Sequence, residues 1–170
     1  KAPPAEAVDL KLFESDDQWE FLKNTGDGLF EVKQGGGKAI GVLHYNFHGS
    51  ESSSTPYVLA RTDVEIPAGA KEILIYARSP VRQPLTFRAI DATGQVHQYK
   101  TRIKGAEQWE RISFPLTRRL EHWGGANDGK IHFPIEQLYF NVPLPNEQTK
   151  MGKVEYADVH AVMIWDQAGF

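Results

Sequence analysis

Residues able to bind or act on a ligand are most concentrated in Glu121–Pro134, EHWGGANDGKIHFP. This stretch holds His122, Trp123, Asn127, Asp128 and His132 within one turn-rich segment. Its glycine pair and Asn/Asp–Gly steps supply the positive φ angles that tight loops require. Alternating apolar patterns flank it on both sides. An aromatic ring and imidazoles carried on such a loop can face a ligand. The alternative is that Trp123 plugs the end of a β-sandwich and the glycines only turn the chain.

A second constellation lies on the strand patterns. Opposite the expected core side, successive strands carry Tyr57 and Arg61, then Tyr76 and Arg78, then Arg88, then His97 and Tyr99. A sugar ring stacks its C–H face on an aromatic ring, and its hydroxyls bond arginine, asparagine and histidine. The mixture therefore suits a glycan laid across a sheet. The arginines Arg61, Arg78 and Arg88 also suit carboxylate or sulfate groups, because the guanidinium fork binds them bidentately. The competing reading is an ordinary solvated face with cross-strand pairs. A slip of one residue would exchange the two faces.

Catalytic signatures are not found. The chain has no G-x-S-x-G elbow, P-loop, dinucleotide fingerprint or H-E-x-x-H. Its six histidines show no standard metal-ligand spacing. His44 and His48 fall on one face of a strand, but two pleats apart. Asp63 and Glu65 alternate correctly to share a face, as a glycosidase pair would need, yet they sit beside a turn where solvated acids are common. Trp109 is expected in the core. Trp19 and Trp165 are expected to pack at strand ends, and Phe114, Phe133 and Phe140 are read as structural.

The elements that must carry these residues read as strands. Ala39–Phe47 sets Leu43, Tyr45 and Phe47 against His44 and Asn46, and Tyr57–Ile66, Glu72–Arg78 and Leu85–Asp91 alternate in the same way. Leu10–Phe13, Leu29–Val32, Val96–Thr101, Trp109–Leu116, Gln137–Val142 and Val154–Trp165 complete about ten candidates. Turn signals such as Asp91-Ala92-Thr93-Gly94 separate them, and Gly35-Gly36-Gly37 reads as a hinge, a loop or a metal-wrapping turn. Short strands at this spacing, with no convincing helix, predict an all-β sandwich or jelly roll.

Composition sets the bounds. At 170 residues the chain fits one domain able to bury a core without staples. A hydrophobic fraction of 41% and a charged fraction of 24% exclude a disordered chain. No apolar run approaches a membrane span, and a net charge of −3 argues against a nucleic-acid partner. The absence of cysteine removes disulfides, thiolate catalysis and zinc–sulfur sites. Residues 1–8 read as a linker or trimmed end and 9–168 as one domain, with both termini resembling those of a module cut from a longer protein.

The order of motifs resembles jelly-roll carbohydrate-binding modules of the galactose-binding-like type. The resemblance is carried by Leu12-Phe13-Glu14 followed by Trp19, by Ile66-Pro67-Ala68-Gly69-Ala70 leading into Lys71–Arg78, by Trp109–Leu116, and by Gly152–Val159 (GKVEYADV). It implies a non-catalytic module that binds a polysaccharide or oligosaccharide, linked covalently to a bacterial polysaccharide-degrading enzyme and secreted or held at the cell surface. The implied contacts are Tyr57, Arg61, Tyr76, Arg78, Arg88 and Tyr99, with His122 and Trp123 closing one end. It also implies a structural calcium held by Glu14 and Asp158 with carbonyls near Gly36–Lys38, Lys38 among them, in keeping with calcium's preference for six to eight oxygens. Two other roles compete: an accessory domain whose aromatic face packs on a catalytic neighbour, and a jelly-roll lyase or hydrolase using a histidine, a tyrosine and an arginine.

Overall fold

The computed structural model describes residues 6–50, 55–146 and 148–164. Its strands are β1 (Ala7–Asp9), β2 (Trp19–Lys23), β3 (Asp27–Gly35), β4 (Lys38–Asn46), β5 (Tyr57–Ile66), β6 (Ala70–Arg78), β7 (Gln83–Ile90), β8 (Val96–Ile103), β9 (Glu110–Pro115), β10 (Glu121–Trp123), β11 (Ile135–Pro143) and β12 (Met151–Met163). They form two antiparallel six-stranded sheets. The first runs β3-β4-β12-β6-β9 with β1 added on β12, and the second runs β10-β8-β7-β11-β5-β2. The expected all-β jelly-roll sandwich is what the chain adopts.

Alternation makes the sandwich. Leu43, Tyr45 and Phe47 from β4 and its end, and Ile73, Ile75 and Ala77 from β6, point inward from the first sheet. Val58, Ala60 and Ile66 of β5 and Leu85, Phe87 and Ala89 of β7 meet them from the second. Tyr45, Phe47, Phe87, Phe114, Phe140 and Tyr156 are the largest fully buried side chains in this core. Trp19 packs at its edge on Phe13, Phe30 and Phe140, and its Nε1 donates to the Leu12 carbonyl at 2.6 Å. The Gly36–Gly37 pair closes the β3–β4 hairpin with both φ angles positive, as a two-residue turn between right-twisted strands requires.

Several boundaries differ from the sequence expectation. Leu10–Phe13 is not a strand. Leu12 and Phe13 enter the core from a turn, so their apolar character reports burial rather than β-structure. The first strand lies earlier, at Ala7–Asp9, where it hydrogen-bonds β12 beyond the end of β4. Residues 7 and 8 therefore belong to the sheet and not to a linker. Trp109 is not in the main core. It lies on the outer side of the first sheet, over a small cluster of Ile40, Val42, Tyr76 and Ala157, between the Lys38 ammonium and the Arg78 guanidinium at 5.5 and 4.6 Å. Trp165 falls outside the described residues.

The glycine-rich stretch 121–134 contains an unexpected strand, β10, which edges the second sheet against β8. It is held there by a buried polar centre. The Asp91 carboxylate, wholly inaccessible, accepts from the Thr93 amide and hydroxyl and the Gln95 amide on one oxygen. Its other oxygen accepts from the His132 amide and faces His97 Nε2 at 2.9 Å. Gln95 extends the tie: its amide nitrogen donates to Asp128 and to the Lys130 carbonyl, and its oxygen accepts from the Gly129 amide. Gly125 passes so close that a Cβ would lie 2.4 Å from the Gln95 nitrogen. Burial opposes the charge on Asp91, but the hydrogen bonds from His97, Thr93 and His132 outweigh it and hold the carboxyl well below its usual range.

Because the unfolded carboxyl titrates near pH ~4, the stability this centre gives is complete above that value and is lost as pH falls toward the lower folded one. Asp91→Asn should cost about 2 kcal/mol at pH 7, because the amide nitrogen that replaces one carboxylate oxygen cannot accept the hydrogen bonds that oxygen received. It should also flatten the dependence of stability on pH below about 4. Urea titrations followed by tryptophan fluorescence at several pH values read both effects.

Candidate functional site

The outer face of the second sheet carries the site. Strand register lines up Arg61, Tyr139, Arg88, Gln98 and Glu121 in one row across β5, β11, β7, β8 and β10, and Leu59, Asn141, Thr86 and Lys100 in the next. A groove of about 460 Å³ opens over these rows, walled by Thr55, Pro56 and Tyr57 at one side and by Arg88, Gln98 and Lys100 at the other.

Arg88 is the centre of the groove wall. Its Nε donates to Gln98 Oε1 at 2.8 Å. Its guanidinium carbon stands 5.2 Å from the Trp123 ring centroid and 5.9 Å from that of Tyr57. Two aromatic faces thus hold one cation between them. Trp123 remains 42% exposed, so much of its ring is available for stacking. The groove floor holds Asn141, 3% exposed, whose side-chain oxygen has no hydrogen-bond partner among the described residues. A buried polar atom without a partner is costly. Arg61, one strand over, is already engaged. It donates to Glu20 and to the Tyr139 hydroxyl at 2.8 and 3.0 Å, and those two bonds raise its affinity for its proton.

The expected single face divides. Tyr57, Arg61, Arg88 and Trp123 do share the outer face of the second sheet. Tyr76 and Arg78 share a face with each other, but on the opposite sheet: Tyr76 is buried beneath Trp109, and Arg78 bonds Glu155 at 2.6 Å. Tyr99 points inward and stacks on Phe114, and His97 is buried on Asp91. The face of β8 was therefore expected with the wrong phase. Ile103 must be buried and Lys100 and Arg102 solvated, and this fixes Gln98 and Lys100 outward. His122 lies on the other side of β10 from Trp123. A guanidinium only donates, so His122 Nε2 accepts from Arg119 at 3.0 Å and its Nδ1 donates to Asn127 at 2.9 Å. It braces the loop and does not line the groove. Asp63 bonds Gln137 and borders, with Glu65 and Glu136, a separate depression at the far end of this face.

Sequence reasoning missed Tyr139, Asn141, Thr86, Gln98 and Lys100. The signal for two of them was present: in Gln137–Val142 the inward Leu138, Phe140 and Val142 leave Tyr139 and Asn141 outward.

The residues expected around calcium do meet. Glu14, Gly37, Lys38 and Asp158 line one pocket of about 380 Å³ where the turn after β1, the β3–β4 hairpin and β12 converge. Asp158 has a φ of 51° and interrupts the pairing of β12 with β6. Its Oδ2 accepts from the Lys38 ammonium at 3.0 Å. Among the described residues no three acid or histidine side chains converge as metal ligands, so an ion here would depend on backbone carbonyls for the rest of its shell.

No family model matches the sequence, and no curated protein matches it significantly. Solved structures do. The family 11 carbohydrate-binding module from Clostridium thermocellum, in complex with a β-1,3-1,4-mixed-linked tetrasaccharide, aligns with a TM-score of 0.71 at 15% identity, over 95% of this chain and 98% of its own. A carbohydrate-binding module described for specific mannan recognition, TmCBM27, aligns with a TM-score of 0.53 at 13% identity, over 92% and 95%. An exo-β-agarase aligns with a TM-score of 0.58 at 11% identity, over 94% of this chain and 25% of its own. The fold is that of the jelly-roll carbohydrate-binding modules of the galactose-binding-like type.

The orphan oxygen of Asn141 gives one expectation independent of any ligand. Asn141→Leu removes a buried unpaired acceptor at similar volume, so the variant should unfold at the same urea concentration or a higher one, by up to about 1 kcal/mol.

Proposed function

We propose that this protein is a non-catalytic carbohydrate-binding module that takes a glycan chain in the groove of its second sheet. The observation that carries the reading is the groove and its rim: Tyr57 in the groove wall and an exposed Trp123 beside it flank the Arg88 guanidinium, over a floor that includes Thr86. Aromatic faces bind the apolar faces of sugar rings, and Thr86, Gln98 and Lys100 supply the hydrogen bonds that orient them. The likeness to a module solved with a tetrasaccharide, and to one described for mannan recognition, supports the same reading. In a longer parent, such a module keeps a catalytic domain close to its polymer by raising its effective concentration, outside the cell where polysaccharides are found. The alignment with a quarter of an exo-β-agarase chain supports that arrangement.

Titration calorimetry with a mixed-linked β-glucan tetrasaccharide, a mannan oligosaccharide and an acidic oligosaccharide tests the proposal. At least one should bind, and Tyr57→Ala and Trp123→Ala should each weaken it by about tenfold or more, as removal of an aromatic anchor does. The Trp123→Ala variant should stay folded, because Trp123 belongs to neither apolar core cluster. No binding to any of the three by a folded domain would overturn the reading.

The pocket between the β3–β4 hairpin and β12 is proposed to hold calcium. Glu14 and Asp158 would supply carboxylate oxygens, and carbonyls near Lys38 would supply others. The cation would replace the Lys38 ammonium as the partner of Asp158. Its role would be structural, tying the segment after β1 to the last strand. Calcium at millimolar concentration should raise the melting temperature by several degrees, following ligand linkage. Magnesium should raise it less, and Asp158→Asn should abolish the shift.

A further inference from the structure

We propose that the glycan bound in this groove is anionic, carrying carboxylates or sulfate esters that a basic track along β8 reads. The inference rests on the groove being a glycan site. Its ground is the register of β8 against β7, which pairs Gln98 with Arg88, Lys100 with Thr86 and Arg102 with Pro84. Alternate residues of a strand share a face, so Arg88, Lys100 and Arg102 stand in line on the outer side of the sheet. Arg82 and Lys104 continue the line, bordering a second depression of about 460 Å³ with Arg102. A chain whose net charge is −3 thus places two cations in the groove and three more around the next depression.

The acids of this face are spent or distant. Glu20 is bound to Arg61. Glu121 is shared by Gln98 and Lys100, the latter at 3.5 Å between exposed side chains. Asp63, Glu65 and Glu136 lie at the opposite end. Among the described residues Arg88 has no carboxylate partner: its Nε is used by Gln98 and its faces by two rings. The two terminal nitrogens remain as a donor fork, the geometry that carboxylate and sulfate take bidentately. A neutral glycan offers that fork hydroxyl oxygens but no charge to match it.

The test compares oligogalacturonate, a sulfated galactan oligosaccharide and the neutral mixed-linked β-glucan tetrasaccharide by calorimetry at 50 and 300 mM salt. One of the two anionic ligands should bind at least tenfold more tightly than the neutral one, and the better of them identifies carboxylate or sulfate as the group read. Arg102→Gln, an exposed change, should weaken that ligand by about threefold or more with an unchanged melting temperature. Methyl-esterified oligogalacturonate, or the desulfated galactan, should lose the advantage. Binding of the neutral glucan as tight as both anionic ligands, or tighter, overturns this inference and leaves the binding-module reading standing. Loss of all anionic binding at 300 mM salt, with no effect of Arg102→Gln, marks a diffuse polyelectrolyte attraction and also overturns it. No binding of any ligand by the folded domain overturns both readings.

Discussion

A single buried carboxylate sets the geometry on which this molecule's groove depends. Asp91 follows β7, and its two oxygens collect donors from the next turn, from His97 on β8 and from the amide of His132 at the far side of a long loop. Burying a charge this way is tolerable only when nearly every lone pair is met. That condition is strict, so the loop has little freedom to sit elsewhere. Gln95, inaccessible and bonded on both sides of its amide, repeats the constraint one step further out. The result is that a glycine-rich segment, which would otherwise be the most mobile part of the chain, presents Trp123 in a fixed place on the rim of the sheet.

Much of the fold was legible in the alternation of side chains. The strands β4, β5, β6 and β7 have inward and outward residues of clearly different character, and their faces follow directly. β8 does not. Its sequence, VHQYKTRI, offers a histidine and a tyrosine against a valine and a glutamine, and hydrophobicity alone cannot rank them. The phase is marked by Ile103, which lies beyond the Val96–Thr101 reading, and remote contacts make it possible: a buried carboxylate that satisfies His97, and Phe114 on the other sheet against which Tyr99 stacks. Which sheet a strand joins is likewise invisible to a pattern of period two. Tyr76–Arg78 and Tyr57–Arg61 look alike in sequence, yet the chain crosses between layers after β5, and the pairs end on opposite surfaces of the sandwich.

The two outer faces make an informative contrast. Both carry an indole with a guanidinium against it. On the first sheet, Arg78 is neutralised by Glu155, and Trp109 lies down over Ile40, Val42 and Tyr76 to close a small apolar cluster. On the second, among the described residues, Trp123 covers no such cluster and Arg88 finds no acid. The same pair of residue types is therefore packing in one place and an open surface in the other. The difference lies in what stands beneath the ring and beside the cation, information that composition does not hold.

Arg88 also has a consequence for timing and discrimination. A long side chain in water samples many rotamers and must surrender them to grip a ligand. Here two rings and Gln98 have already removed most of that freedom. The guanidinium is thus a fixed gauge rather than a searching arm: it cannot swing to rescue a sugar whose polar group lies a few ångströms out of place. Such rigidity favours the rejection of near-miss ligands more than it favours raw strength of binding.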